Sequence, residues 1–277
     1  MRADMHLHTF YSDGDVSPER VFEKAAQKGL DFICITDHDC ICPTHKLSAA
    51  KGQLPPIYVP SIEVSAYFGN VKIHMLCYNP DLNNPDMKSF LEELKIGSYR
   101  RAEIILNRLK SMGMPLTMRE VEAEKAVADT PVHAMHIARA GAKKGYAEDE
   151  FKFYYTYLMW GKFAFSTEGR PSPERTAEIA SSAGAVVSLA HPGRISLDKN
   201  TLKQYIARLR SCGLGGIEGV YTTHTVTETA YFKEIAKEFN LFVTGGSDTH
   251  FENDLRHEMG KPEFHPVKSL LQALKIC

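Results

Sequence analysis

The sequence predicts an α/β barrel carrying a helical insertion, and three observations lead there. Seven short apolar runs rich in β-branched residues recur at 3–7, 32–36, 57–64, 71–77, 185–190, 216–220 and 241–244. Helical patterns separate several of them, and such alternation argues for a mostly parallel sheet, with this many strands suggesting a barrel. From about residue 85 to 161 the pattern is helical with almost no strand signal. The 277 residues, 43% hydrophobic and 24% charged, suffice for one large barrel or two small domains.

Taken in order, the first run alternates strictly: Asp4, His6 and His8 share one face, while Ala3, Met5 and Leu7 share the other. Ser17-Pro18-Glu19-Arg20 is an N-cap with Pro at the first helical position, and Gly29 closes that helix. Ser172-Pro173-Glu174-Arg175 repeats the device, closed by Gly184. In the middle, 89–113 reads as one long helix, Thr117-x-x-Glu120 as a capping box, and Thr130-Pro131 as the start of a helix running to about Gly145. Residues 95–145 hold ten Lys/Arg against five Asp/Glu, a locally basic stretch that is either a solvated surface or a device for holding an anion. The domain reading is therefore a barrel of 1–84 with 162–277, interrupted by an insertion of 85–161.

Lys+Arg of 33 against Asp+Glu of 34 excludes a strongly basic nucleic-acid binder as a whole-chain description. No run reaches 18 apolar residues and the N-terminus turns polar at once, so neither a membrane span nor a secretory signal is expected. Six cysteines at 34, 40, 42, 77, 212 and 277 show no Cys-x-x-Cys spacing, which points to thiols in a reducing cytoplasm.

Six clusters carry the chemistry. Two imidazoles at i and i+2 of one strand, His6 and His8, converge on one point and suit a divalent ion. Thr36-Asp37-His38-Asp39 follows the second run, Glu63 closes the third, and His74 lies within the fourth, opposite in parity to Val71, Ile73 and Met75. His191-Pro192-Gly193-Arg194 and Ser247-Asp248-Thr249-His250 end two further strands. Functional residues of a (β/α) barrel sit at the C-terminal ends of strands, so four of these clusters meet at one mouth. Singly, each has a plainer reading: His74 as a solvent-side residue beside Lys72, Asp37 and Asp39 as turn formers, Asp248 as a helix cap.

Asp-x-His-x-His, then Ser12-Asp13-Gly14, Thr-Asp-His-Asp, a strand-end Glu, Ala-His-Pro-Gly-Arg and Ser-Asp-x-His, in this order, resemble the polymerase and histidinol phosphatase (PHP) superfamily. The insertion, with His136-Ile137-Ala138-Arg139, is similar to that of stand-alone PHP phosphoesterases acting on nucleotides. The resemblance implies a distorted (β/α)7 barrel with two to three divalent ions. It places His6, His8, Glu63 and Asp248 around the first ion, Glu63 bridging to a second held with His74 and His191, and Asp13, His38 and His250 on a third. Asp13 stands where several relatives carry His. Mixed imidazole and carboxylate donors suit Mn, Zn or Fe without choosing among them.

Such ions can acidify a water, clamp phosphoryl oxygens and stabilise the leaving oxygen. Asp13, His38, Glu63, His191 and His250 are thus the expected catalytic group, and metal-activated hydroxide the expected nucleophile. Asp4 is expected to hold a ligand histidine from behind. Candidate substrate contacts are Arg194 at the mouth, His136, Arg139 and Lys143 on one face of an insertion helix, and His224 after the sixth run. The expected substrate is a small phosphorylated molecule, a nucleoside 3′,5′-bisphosphate or cyclic phosphate. No long nucleic acid is expected, and the oligomeric state stays open. Competing readings are a 5′→3′ exonuclease on short oligonucleotides, a histidinol phosphate phosphatase, and a catalytically silent metal-binding module.

Overall fold

The computed structural model describes residues 1–43 and 56–276; the Cys277 thiol lies outside them. Among the described residues seven strands form one sheet in sequential order: β1 (Ala3–Leu7), β2 (Phe32–Ile35), β3 (Ile57–Phe68), β4 (Val71–Tyr78), β5 (Val186–Leu189), β6 (Leu214–Tyr221) and β7 (Phe242–Gly246). All seven expected runs are strands. The sheet curls until its first and last strands meet. Asp248 N donates to His6 O at 2.8 Å and His8 N to Thr249 O at 3.0 Å, so β1 and the segment after β7 nearly close the barrel. Gly246 permits this approach, since a Cβ there would sit 2.4 Å from the Cβ of His6.

Pairing is parallel for β1/β2, β2/β3, β5/β6 and β6/β7, but antiparallel for β3/β4 and β4/β5. The runs at 57–64 and 71–77 are thus two arms of a hairpin. Only Gly69 and Asn70 separate them, too short for a crossover helix, and Gly69 takes a left-handed φ of +57°. β3 runs on past Glu63 to Phe68, so Glu63 is mid-strand rather than terminal. Ser65 pairs with His74 and Glu63 with Leu76, which makes Glu63 and His74 diagonal neighbours on one face.

The helices are α1 (Pro18–Gln27), α2 (Pro85–Ser111), α3 (Met118–Glu122), α4 (Ala134–Lys143), α5 (Glu150–Phe153), α6 (Pro173–Ser182), α7 (Lys199–Ser211), α8 (Val226–Glu238) and α9 (Lys268–Ala273). Ser17, Ser172 and Thr117 cap as the sequence indicates. Two starts differ. α2 begins a turn before residue 89, because Asn84 Oδ1 accepts from Asp86 N and Met87 N with Pro85 at the first position. α4 begins at Ala134 rather than at Thr130-Pro131. Val132 N is taken by Ser98 Oγ at 2.9 Å, His133 stays extended, and His136 Nδ1 accepts from His133 N at 3.1 Å.

The barrel core packs residues such as Val64, Ile73, Leu189 and Ile217 against α6–α8. A separate apolar cluster, including Leu106, Leu109, Val121, Ile137 and Phe153, holds α2–α5 together. Among the described residues, no helix is long and apolar enough to cross a membrane.

Candidate metal centre

Strand parity builds the site. Ala3, Met5 and Leu7 enter apolar clusters on one side of β1, which leaves His6 and His8 to face the barrel axis. Their Nε2 atoms lie 3.3 Å from Glu63 Oε2 and 3.4 and 3.2 Å from Asp248 Oδ1. Glu63 Oε1 in turn lies 2.8 Å from His74 Nδ1 and 3.0 Å from His191 Nε2. Around the outer edge, His38 Nδ1 is 3.0 Å from Glu63 Oε2, and Asp13 stands 3.9 Å from His38 Nε2 and 3.5 Å from His250 Nε2. All nine expected ligands therefore converge.

Among the described residues their donor atoms form three overlapping sets: His6/His8/Glu63/Asp248, His38/Glu63/His74 and His8/Asp13/His38/His250. The first set matches expectation. In the second His38 stands in place of His191, although His191 still touches Glu63.

The atoms fit divalent ions. His6 Nε2, His8 Nδ1 and Nε2, Glu63 Oε2, Asp13 Oδ1 and His74 Nε2 are buried without a hydrogen-bond partner, a costly state unless something else meets them. Ligands bound at about 2.0–2.2 Å in a tetrahedron stand roughly 3.3–3.6 Å apart, the spacing seen in the first set. Electrostatics agree. Burial alone would lower His8, yet the Asp248 and Glu63 carboxylates outweigh it and hold the imidazole up at about 10. Burial would raise Glu63 and Asp248, but the surrounding histidines hold both well below the usual carboxylate range. The carboxylates demand positive charge, which protons meet in the bare protein.

Outer contacts orient the donors. Glu218, fully buried in β6, takes His6 Nδ1 at 2.9 Å and accepts from His191 N at 2.7 Å. With Nδ1–H donating to Glu218, Nε2 is the His6 nitrogen turned to Glu63 and Asp248 and the one that would offer its lone pair to a bound ion. Asp37 accepts from Thr9 N, Thr9 Oγ1 and Ser12 Oγ, each at 2.7 Å, and so fixes the loop that carries Asp13. Tyr221 donates to Asp248 Oδ2 at 2.7 Å. Asp39, His191 and Asp248 all take left-handed φ values, of 56°, 28° and 60°, the kind of constrained backbone found at functional sites.

Asp4 does not do what the sequence suggests. Its oxygens accept from His6 N, Ser247 N and Gly260 N, so it ties β1 to the end of β7 and touches no imidazole nitrogen. Glu218 fills the role expected of Asp4. An acid of that kind within an apolar strand was the available signal.

The cluster floors a pocket of about 390 Å³. Arg194 lines its mouth, with Nη1 2.9 Å from Tyr221 Oη and 3.3 Å from Asp248 Oδ2. The other four candidate substrate contacts do not line it. His136 is buried and spent on capping α4, Arg139 Nη2 donates to Asp13 O at 3.0 Å from outside, and Lys143 is exposed and paired with Glu124 at 2.8 Å. His224 Nε2 accepts from Gly193 N at 3.2 Å, bracing the turn after His191. The insertion instead presents the first turn of α4, His133 to Met135, and the aromatic residues Phe151, Tyr154 and Tyr155. Lys72 and Arg170, neither expected, line the same pocket.

A family model described as PHP domain matches residues 4–95. The chain is 30% identical to the phosphoribosyl 1,2-cyclic phosphate 1,2-diphosphodiesterase of Eggerthella lenta, covering 90% of this chain and 94% of that one. It is 27% identical to a 5′-3′ exoribonuclease of Haemophilus influenzae, over 90% and 89% of the two chains. With the 3′,5′-nucleoside bisphosphate phosphatase of Chromobacterium violaceum it shares 25% identity, over 95% and 92%. A solved Chromobacterium violaceum structure titled as an amidohydrolase with bound sulfate and no metal superposes with a TM-score of 0.85 at 22% identity, over 100% and 96% of the chains, and shares the fold.

Proposed function

This chain belongs to the PHP superfamily and is a metal-dependent phosphoester hydrolase, and from that premise we propose that it hydrolyses small nucleotide-like phosphate esters, a nucleoside 3′,5′-bisphosphate or a cyclic phosphate. The observation that carries this reading is the floor of orphaned imidazole and carboxylate atoms beneath a pocket with an arginine and an aromatic wall. Two to three ions of Mn, Zn or Fe would be held by His6, His8, Asp13, His38, Glu63, His74, His191, Asp248 and His250. When bound, such ions supply Lewis acidity that acidifies an attacking water and offsets phosphoryl charge.

The chain's own groups do the rest. Glu63 spans the first two sets and sets their separation. The Arg194 guanidinium forks onto phosphoryl oxygens and is aimed by Tyr221 and Asp248. Phe151 of the insertion and Phe251 of the segment after β7 meet edge to face with centroids 5.8 Å apart, a surface on which a nucleobase stacks. We assign 85–161 as the lobe that closes over the barrel. Among the described residues Cys34, Cys40, Cys77 and Cys212 form no disulfide, which supports placing the enzyme in a reducing cytoplasm.

The test is a screen of Mn-loaded protein against nucleoside bisphosphates, cyclic phosphates, histidinol phosphate and short RNA. Turnover of the first two classes ahead of the others supports the proposal. Preference for RNA replaces it with an exonuclease, and no turnover of any substrate sinks it.

A further inference from the structure

Of the insertion residues that line the metal pocket, Ala134, Met135 and Phe151 have apolar side chains, whereas His133 brings an imidazole. His133 is 5% exposed, and its Nε2 is buried without a hydrogen-bond partner. A nitrogen left in that state is costly unless something that enters the pocket meets it. The ring stands 6.2 Å from that of His38, centroid to centroid, yet His133 belongs to none of the three donor sets. It therefore faces what those sets would hold rather than the ions themselves. The Asp13 carboxylate acts on it, but burial first and His136 second keep this imidazole well below its usual range. His133 is an uncharged group beside the cluster. Its aim is fixed from both sides. Ser98 Oγ, buried on α2, accepts from Val132 N at 2.9 Å, and His136 Nδ1 accepts from His133 N at 3.1 Å. Behind the imidazole lies a cavity of about 80 Å³ that His133 walls together with Ser98 and Arg101 of α2.

We propose that His133, through Nε2–H, donates a hydrogen bond to a phosphoryl oxygen of the scissile ester, which makes the insertion part of the catalytic machinery rather than a cover. The phosphoryl oxygens carry the charge of the reacting group. A donor already aimed at them is worth most in a site that excludes water. A neutral N–H also suits this position better than a guanidinium or an ammonium, because it sets no further cation beside a cluster built for dications. Ser98 is a positioning residue in this account. Without its hydroxyl the Val132 N–H is released, and the start of α4 loses the bond that aims His133. The claim rests on the phosphoester reading alone, since phosphoryl oxygens are common to every candidate substrate.

The test uses Mn-loaded, full-length protein and two esters, adenosine 3′,5′-bisphosphate and p-nitrophenyl phosphate. His133→Leu should lower kcat on both about a hundredfold, the scale of losing one preorganised donor, while Mn affinity by chelator competition stays within about twofold. His133→Gln, which keeps an N–H at a similar reach, should recover at least about tenfold of that loss. Calorimetry with inorganic phosphate should show about tenfold weaker binding to His133→Leu, as expected for losing a charge-assisted hydrogen bond. A loss confined to the bisphosphate, whose leaving alkoxide needs a proton as nitrophenolate does not, would move the donor to the leaving oxygen and overturn the claim. Weakened Mn binding would make His133 a metal ligand, and equal losses in the Leu and Gln variants would make it a structural residue. Either result overturns the claim. Should His133→Leu fail to fold, as a thermal melt would reveal, Ser98→Ala takes its place. A kcat lower by at least about tenfold on both esters, with Mn affinity kept, then supports the claim, and an unchanged kcat overturns it. Wild-type protein that turns over neither ester defeats the phosphoester reading, and the phosphate calorimetry still decides the role of His133.

Discussion

The barrel mouth and the insertion were read from the same sequence by the same rules, and they met different fates. At the mouth, His6 on β1, His8 just past its end, Glu63 on β3 and His74 on β4 reach one another because pleat parity and pairing register set their direction. In the insertion, His136, Arg139 and Lys143 do share helical spacing, yet they cap, brace or meet solvent. A strand within a barrel has only an inside and an outside. A helix docked on a barrel has a free rotation and start point, here decided by Ser98 Oγ capturing Val132 N. Local pattern specifies the first and leaves the second to tertiary contacts.

The comparison predicts a steep gradient of effects. Glu63 belongs to two of the three donor sets, so Glu63→Gln should lower activity about a hundredfold to a thousandfold, the scale of losing a main electrostatic stabiliser. Metal content by mass spectrometry should fall with it. Full metal content and activity would break the picture of the mouth.

Next come two buried acids: Glu218, which the sequence reading passed over, and Asp4, which it placed behind a ligand histidine. Glu218→Gln should weaken metal affinity about 10–100-fold, read by competitive titration with a chromophoric chelator. Asp4→Asn should leave that affinity within about twofold, but destabilise the fold by about 1–3 kcal/mol, because the amide of Asn cannot replace every acceptor used by Ser247 N and Gly260 N. A melt and a titration on each variant separate the roles, and a reversed outcome would restore Asp4 to the metal centre.

Arg194 should come third. Arg194→Ala is expected to reduce kcat/KM about tenfold, since one charge-assisted phosphate contact is removed while the ions stay bound. Unchanged steady-state kinetics would remove the guanidinium from the substrate path. The smallest effect belongs to Lys143, whose side chain is 71% exposed. Lys143→Ala should change stability by less than about 0.5 kcal/mol and kcat/KM not measurably, and a clear catalytic loss would return the helix to the role its spacing suggested.

The legible part of the molecule was what one-dimensional periodicity encodes. Strand positions, the Ser17, Ser172 and Thr117 caps, and the nine converging donors all follow from local pattern or from motif order. The β3/β4 hairpin escaped because the mostly parallel sheet expected from the alternation left the Gly69-Asn70 turn between its two runs unread. Arg170 and Arg101 escaped for a deeper reason: nothing in their neighbourhoods distinguishes them from solvated arginines until the Asp39 carboxylate and the insertion enclose them. Glu218 was within reach, as a carboxylate in an apolar strand needs a partner.

The central claim is that hydrolysis depends on ions held by this one cluster. Anomalous diffraction from Mn-soaked crystals, with phosphatase activity assayed on the same protein before and after chelation, tests it most directly. The predicted result is peaks bounded by His6, His8, Glu63 and Asp248 and by the adjoining Asp13, His38 and His250, with activity lost on chelation and regained on reloading. Peaks elsewhere, or activity that survives complete removal of metal, would contradict it.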